Sequence, residues 1–536
     1  MSAIDTRGVR RLFQFVVLFA LMIVVAVGAE GLLRWALDAT PEWEPPIEAL
    51  AQSMAFVLIG GPLAGLIVWW TLRSQRRDAA ERSGFLFTVY VTLLALVALQ
   101  RVVIAVPEAV SAALQGEFAR LELSTALPWV ALWLGHWFWA ARVLPQGHNT
   151  VHVLLGSLIG LVSAAIGFVQ LLGNSVETML RPPLPGPIAA IAPPAALLLV
   201  GALIWALYWL STGVWLPRRT LWLIYVLPIG VGGALVAALA AAATGLWRVA
   251  VWFLGDPVSA DALQHFHGLW YALGTVVVGV TLWWYHRTVL GQMERTEVRR
   301  VYEYLVAGLG LGAAAGGVGT LIVAVIEAAT PGVDRGMTST NTLLAALMLL
   351  AVGAPVWWVF WRRAQRAVQA EGAAERHSRT RRVYLVVIFG VAGVATVIAA
   401  IQAGEAFFTD AVAGSLGLST LRLMRYSLGI IVAAVAVFGY HVAVFRADRR
   451  VPAAAPSEED ETRGPRSVLL IGGPDGAPAA LARLTGARVE RWPLRASDGA
   501  SAWEVEQVAL RLADYPGEDV VVTSDEDGPQ IFSVRR

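Results

Sequence analysis

The chain has 536 residues, of which 57% are hydrophobic and 15% are charged, and its formal net charge is +2. A soluble protein of this length could not bury so much apolar side chain, so the composition predicts a membrane protein. The chain has no cysteine and no lysine, which excludes disulfides, thiolate metal sites, Schiff bases and phosphate-binding lysines.

The charged residues lie in short clusters between long apolar stretches. Most stretches reach about 20 residues, the length of a helix that crosses a bilayer. They are apolar on every side, which favours helices over the alternating strands of a barrel. The pattern predicts twelve transmembrane helices with these approximate bounds: 11–36, 50–72, 85–107, 126–143, 151–173, 187–213, 220–246, 264–287, 301–329, 341–362, 382–408 and 422–445.

The predicted helices form six pairs, because the first helix of most pairs opens on a similar basic motif. The openings are Arg10-Arg11-Leu12-Phe13, Arg82-Ser83-Gly84-Phe85, Arg218-Arg219-Thr220-Leu221, Arg299-Arg300-Val301-Tyr302 and Arg381-Arg382-Val383-Tyr384. The third pair opens more weakly, at His152. We predict an all-α polytopic membrane fold of six two-helix repeats over residues 1–450.

Arginines accumulate on alternate loops, whereas the intervening loops are rich in acids such as Glu42, Asp256 and Asp334. The longest basic loop runs from Arg362 to Arg382. Because loops with excess arginine stay on the cytoplasmic side, we predict a bacterial inner-membrane protein with both termini in the cytoplasm. The basic loops are expected to contact anionic lipid headgroups, and no nucleic acid is expected.

The character of the chain changes after Arg450. Residues 451–466 contain alanine, proline and an acidic run, which is typical of a flexible linker. Residues 467–536 alternate short strands and helices, which predicts a small cytoplasmic α/β domain. The glycine-rich turn at residues 472–476 matches neither the Walker nor the dinucleotide pattern, so no cofactor is expected.

Polar residues recur in the outer halves of several predicted helices. These candidate site residues are Glu30, Gln100, Arg101, Gln170 and Gln402. Polar groups inside a membrane normally face protein or water. They predict either a polar ring that lines an outward-opening cavity or hydrogen bonds between packed helices, and the second interpretation is favoured. Arg101 either extends to the outer interface or pairs with Glu30, which lies at a comparable depth.

His136 is a titratable residue near the centre of the fourth predicted helix. A buried histidine can carry protons or bind haem, but the other histidines lie at different predicted levels. A hydrogen-bonded core histidine is therefore the favoured interpretation. In the ninth helix, Gly308, Gly312 and Gly316 form a stripe, which predicts close helix packing or, alternatively, a sliding element of a transporter.

The repeated helix pair, with the openings at Arg299–Tyr302 and Arg381–Tyr384, resembles an uncharacterised bacterial membrane family. That family is known only as a domain of unknown function with tandem paired helices. The resemblance implies a membrane region over residues 9–447 and excludes the C-terminal tail. Because the family has no assigned activity, the resemblance implies no site residue.

The leading functional hypothesis is a non-catalytic membrane scaffold or accessory subunit whose C-terminal domain docks a protein partner. No nucleophile elbow, metalloprotease motif or paired acids point to an enzyme, and no metal site is expected. The alternative hypothesis is a transporter or channel for a small or lipophilic solute that uses the polar ring. A continuous hydrated cavity would favour transport, whereas dry helix packing would favour a scaffold.

Overall fold

The computed structural model describes residues 6–37, 47–78, 84–144, 149–181, 186–291, 297–332, 338–450, 464–472, 474, 476–492, 504–525 and 528–534. The chain forms two compact units, one of residues 1–366 with 379–444 and one of residues 367–378 with 445–536. The first unit holds most of the helical region, and the second holds the C-terminal sheet with the ends of two long helices. Most of the predicted linker, residues 451–463, lies outside the described residues.

In the described part of the chain, twelve long helices follow one another: α1 Thr6–Leu37, α2 Ile47–Arg77, α3 Phe85–Leu114, α4 Arg120–Val143, α5 Thr150–Leu180, α6 Pro187–Trp215, α7 Thr220–Leu254, α8 Ala262–Leu290, α9 Glu297–Ala329, α10 Ser339–Glu371, α11 Arg379–Val412 and α12 Leu418–Arg449. Eleven of these described helices are long and apolar enough to cross a membrane. The remaining one, α4, has Arg120, Glu122, His136 and Arg142 among its apolar residues.

Several helices extend beyond the apolar stretches that predict them. Helix α3 continues through Pro107 to Leu114, and α12 continues to Arg449. The apolar pattern ends where charged side chains begin, but backbone hydrogen bonding can continue for another turn or two. Pro228 lies in a π-helical stretch of α7, Tyr225–Gly233. Proline has no backbone N–H to donate, and the backbone hydrogen bonds of α7 depart from the α-helical pattern in the same stretch.

Glycines allow some neighbouring helices to approach at backbone distance. A Cβ atom added to Gly160 or Gly201 would lie 2.4 Å from a backbone nitrogen of the facing helix in the α5–α6 pair. In the α9–α10 pair, a Cβ on Gly310 would lie 2.5 Å from the backbone nitrogen of Trp357. Close backbone contact of this kind is what small residues provide in membrane helices.

The predicted stripe of Gly308, Gly312 and Gly316 does not make these close contacts. A Cβ on Gly312 or Gly316 would have no described heavy atom within 4 Å. All three glycines instead line an apolar cavity of about 480 Å³ between α9, α11 and α12. The prediction of close packing was therefore wrong for Gly312 and Gly316, because that face of α9 lies against a cavity.

The C-terminal domain contains four strands and two short helices. The strands are β1 Ser467–Ile471, β2 Arg488–Trp492, β3 Asp519–Asp525 and β4 Gly528–Val534, and the helices are α13 Ala477–Thr485 and α14 Val505–Leu512. The sheet order is β2-β1-β3-β4, with β1 parallel to β2 and β3 and with β4 antiparallel to β3. Both helices pack on one face of the sheet, around Leu470, Leu481 and Leu512.

Candidate functional site

Glu30 and Arg101 are brought together in the first four helices. Arg101 Nη2 lies 3.5 Å from Glu30 Oε2. The same carboxylate accepts hydrogen bonds from the Thr125 hydroxyl at 2.8 Å and from the Trp129 indole N–H at 2.9 Å. The guanidinium carbon of Arg101 lies 5.4 Å from the centre of the Trp129 ring. One acid thus joins helices α1, α3 and α4 through an ion pair and two hydrogen bonds.

The other three members of the predicted polar ring lie elsewhere. Gln100, Gln170 and Gln402 are exposed on the surfaces of α3, α5 and α11. Gln100 is adjacent to Arg101 in sequence, but neighbouring residues of a helix point in directions about 100° apart. Of the five candidates, the structure therefore brings only Glu30 and Arg101 into contact with each other.

A second acid–base pair joins α9 to α12. Glu327 Oε1 lies 3.1 Å from Arg425 Nε, and both side chains are largely buried, with exposed fractions of 5% and 13%. Arg422, one turn earlier on α12, donates to the backbone oxygen of Thr330 at 3.0 Å. The sequence analysis did not identify this pair. Arg422 and Arg425 at the start of a predicted helix were the signal that could have indicated it.

The middle four helices have a comparable acid. Glu177 of α5 lies 2.8 Å from the His267 ring, accepts from the backbone N–H of Gly268 at 3.1 Å and accepts from the Tyr271 hydroxyl at 3.4 Å. The twelve helices can be divided in chain order into three groups of four, α1–α4, α5–α8 and α9–α12. Glu30, Glu177 and Glu327 each lie on the first helix of one group. Each acid lies near the C-terminal end of its helix and contacts side chains of the last helix in the same group.

The opposite ends of the same groups contain buried histidines. His136, His286 and His441 lie on α4, α8 and α12, and all three are buried. Their Nδ1 atoms lie 2.8–2.9 Å from the backbone oxygen four residues earlier. Because a carbonyl oxygen only accepts, Nδ1 carries the proton, and Nε2 of the neutral ring is left as an acceptor. The sequence placed His136 near a helix centre and His286 and His441 at the inner interface, and the structure gives all three the same local bond.

Each of these histidines packs against a tyrosine of the preceding helix. The ring centres are 5.7 Å apart for Tyr90 and His136, 6.0 Å for Tyr225 and His286, and 5.9 Å for Tyr384 and His441. In the first pair the Tyr90 hydroxyl donates to His136 Nε2 at 3.0 Å. His136 therefore has a hydrogen-bond partner for each ring nitrogen.

Indole N–H groups near these histidines bond to further tyrosines. Trp209 donates to the Tyr285 hydroxyl at 2.8 Å, and Trp361 donates to the Tyr440 hydroxyl at 2.7 Å. Both tryptophans are buried, unlike the exposed Trp284. The arrangement holds helices together through aromatic packing and the hydrogen bonds of the two indole N–H groups. Among the described residues, no three His, Asp or Glu side chains are placed to hold a metal ion.

Two segments of the chain, residues 11–135 and 300–440, match the model of one family, described as a domain of unknown function (DUF5671). Each segment is similar to this family. The resemblance to an uncharacterised family is confirmed for these two segments and not for the whole predicted range of 9–447. Each segment spans four helices, starts at the second arginine of an opening motif and ends one residue before a buried histidine, His136 or His441. Residues 136–299 lie between the two DUF5671 segments.

No curated protein and no solved structure matches the chain at a significant level. The eleven long apolar helices and the DUF5671 segments together describe a multi-pass membrane protein.

The two DUF5671 segments offer a matched test of the tyrosine–histidine contact. We expect Tyr90→Phe to destabilise the protein by about 1–3 kcal/mol, because it leaves the buried Nε2 of His136 without its donor. Tyr384→Phe should be neutral, because within the described residues the Tyr384 hydroxyl has no hydrogen-bond partner. Thermal denaturation of the detergent-purified variants measures both. Equal losses in the two variants would contradict this assignment.

Proposed function

We propose that the protein is a non-catalytic scaffold or accessory subunit of the bacterial inner membrane. Its membrane region would cross the bilayer twelve times, with α4 as the least apolar crossing and with both termini in the cytoplasm. The arginine clusters on alternate loops support this orientation. The polar residues of the membrane region support a scaffold, because Glu30, Glu177 and Glu327 join neighbouring helices.

The six helix pairs would be organised as three groups of four helices, α1–α4, α5–α8 and α9–α12. Two observations support this grouping. The family matches the first and the third group, and a buried histidine with the same bond to its own helix lies on the last helix of every group. A chain with repeated groups of this kind offers repeated surfaces to neighbours in the membrane.

The transporter hypothesis has less support. Gln100, Gln170 and Gln402 are exposed on separate helices, and the carboxylate of Glu30 is occupied by Arg101, Thr125 and Trp129. A solute pathway needs polar groups that face a shared cavity.

The docking role is supported by one face of the C-terminal sheet, which α13 and α14 do not cover. Val521 is in register with Leu469 and Phe532, and Ile471 is in register with Trp492. Because side chains alternate along a strand, these five lie opposite the face that packs on α13 and α14. Phe532 is 50% exposed and Trp492 is 57% exposed. Exposed aromatic residues beside apolar side chains are typical of protein interfaces.

A cytoplasmic protein with a complementary apolar surface is the proposed occupant. A photo-crosslinking amino acid at position 532 of the full-length protein, expressed in its own cells, should yield one discrete adduct. The same amino acid at Leu510, exposed on α14, is the matched control and should not yield that adduct.

The identified partner, once purified, should bind the Leu510→Asp variant as it binds the wild type. It should bind the Trp492→Asp/Phe532→Asp variant at least about tenfold more weakly, because buried aromatic residues dominate interface energies. Equal binding to both variants would disprove docking at this face. Solute flux through proteoliposomes of the purified protein would disprove the scaffold role and favour transport.

A further inference from the structure

Three arginines line a cavity between three helices. It lies near the C-terminal end of α8, the N-terminal end of α9 and the C-terminal part of α10. The cavity has a volume of about 900 Å³, and Arg287, Arg299 and Arg363 lie on its walls. The buried residues Tyr302 and Glu303 also line it. A volume of this size is sufficient for a small ligand or a lipid headgroup.

The charges of this cavity are not balanced. Arg299 pairs with Glu303, whose Oε1 lies 3.3 Å from Arg299 Nε. Within the described residues, no carboxylate lies within ion-pairing distance of Arg287 or Arg363. The described residues of the cavity wall therefore have a net positive charge and would attract an anion.

Arg287 and Arg363 pack against aromatic rings and do not donate to the C-terminal carbonyls of α8. The guanidinium carbon of Arg287 lies 5.6 Å from the centre of the Trp283 ring, and that of Arg363 lies 4.9 Å from Phe360. The last carbonyls of α8, at Val289 and Leu290, accept hydrogen bonds from Arg218 instead, at 3.3 and 3.4 Å. The N–H groups of Arg287 and Arg363 are thus available to a ligand.

The wall of the cavity also has an apolar part. Trp284, Leu290 and Val298 line it beside the arginines, and Trp284 is 59% exposed. A ligand that fills the cavity must be anionic on one side and apolar on the other. A phospholipid phosphate with its glycerol and the first acyl carbons has this chemistry, and basic pockets between membrane helices favour it.

We propose that this cavity is a binding site for the phosphate of an anionic phospholipid, with Arg287 and Arg363 as its two donors. The site rests on the membrane orientation proposed above but not on the docking role of the C-terminal domain. Partner binding and lipid binding can therefore fail independently.

The test uses the full-length protein in detergent and phosphatidylglycerol as the probe, with native mass spectrometry as the measurement. The Arg287→Gln/Arg363→Gln variant should bind phosphatidylglycerol about 30-fold more weakly than the wild type, because each arginine contributes about 1 kcal/mol. Phosphatidylcholine, which has no net charge, should bind both proteins equally weakly.

The matched control is Arg142→Gln/Arg362→Gln. These arginines also lie against aromatic rings, Phe138 and Trp358, but outside the cavity. This control should bind phosphatidylglycerol like the wild type. An equal loss in both double variants would overturn the proposal, because it would indicate general surface charge. Unchanged binding by Arg287→Gln/Arg363→Gln would also overturn it. Displacement of the lipid by low-millimolar inorganic phosphate would assign the cavity to a soluble anion instead.

Discussion

Glu327→Ala is expected to destabilise the membrane region by about 3–5 kcal/mol, because it removes the buried carboxylate that pairs with Arg425. The side chains of Glu327 and Arg425 are 5% and 13% exposed. They are more buried than those of the Glu30–Arg101 and Glu177–His267 contacts. The pair joins α9 to α12, the first and last helices of the third group. The expected result is a lower midpoint of thermal denaturation, measured by fluorescence-detected size exclusion in detergent.

Three further variants separate the charge from the side-chain volume. Glu327→Gln keeps an oxygen acceptor for Arg425 and should lose less stability than the alanine variant. Glu327→Ala/Arg425→Met removes both charges and should recover part of the loss. Glu117→Ala, at an exposed loop acid, should change stability by less than about 0.5 kcal/mol. If Glu327→Ala behaves like Glu117→Ala, the ion pair does not stabilise the helices.

Gly310→Ala should destabilise the protein by about 1–3 kcal/mol, whereas Gly312→Ala should stabilise it by up to about 1 kcal/mol. A Cβ on Gly310 would lie 2.5 Å from the Trp357 backbone nitrogen, so α9 and α10 would have to separate. A Cβ on Gly312 would have no described atom within 4 Å, and alanine favours a helix over glycine.

This comparison is closely controlled, because the same substitution is made two residues apart in one helix. Thermal denaturation of the two purified variants gives the sign of each effect. If both variants lose stability, the cavity beside Gly312 is closed in the folded protein. If neither loses stability, α9 and α10 are not in backbone contact at Gly310.

Much of the helix pattern could be predicted from the sequence. The apolar stretches predicted the core of each long helix, since a helix in an apolar solvent must be apolar on every side. Their ends were less well predicted, as in α3, which continues to Leu114. In the C-terminal domain, the alternation of short strands and helices predicted an α/β fold, and the structure has four strands and two helices in the described part of that domain.

The candidate site was less accessible to sequence reasoning. Comparable predicted depth suggested that Arg101 could pair with Glu30, and the two side chains do lie in contact. The same argument also selected Gln402, which is exposed, because depth along a helix says nothing about which way a side chain points. Glu327 and Arg425 are 98 residues apart, and their contact depends on the packing of α9 against α12.

The stretches of apolar residues and the arginine motifs between them were enough, without coordinates, to predict a multi-pass helical protein with a small α/β tail. That is possible because solvent preference and hydrogen-bonding period are local properties of the chain. Only the tertiary structure decided that Gly312 borders a cavity while Gly310 touches a neighbouring backbone. It also decided that His136 and His441 take equivalent positions, because both facts depend on the rotation of each helix about its axis, which packing determines.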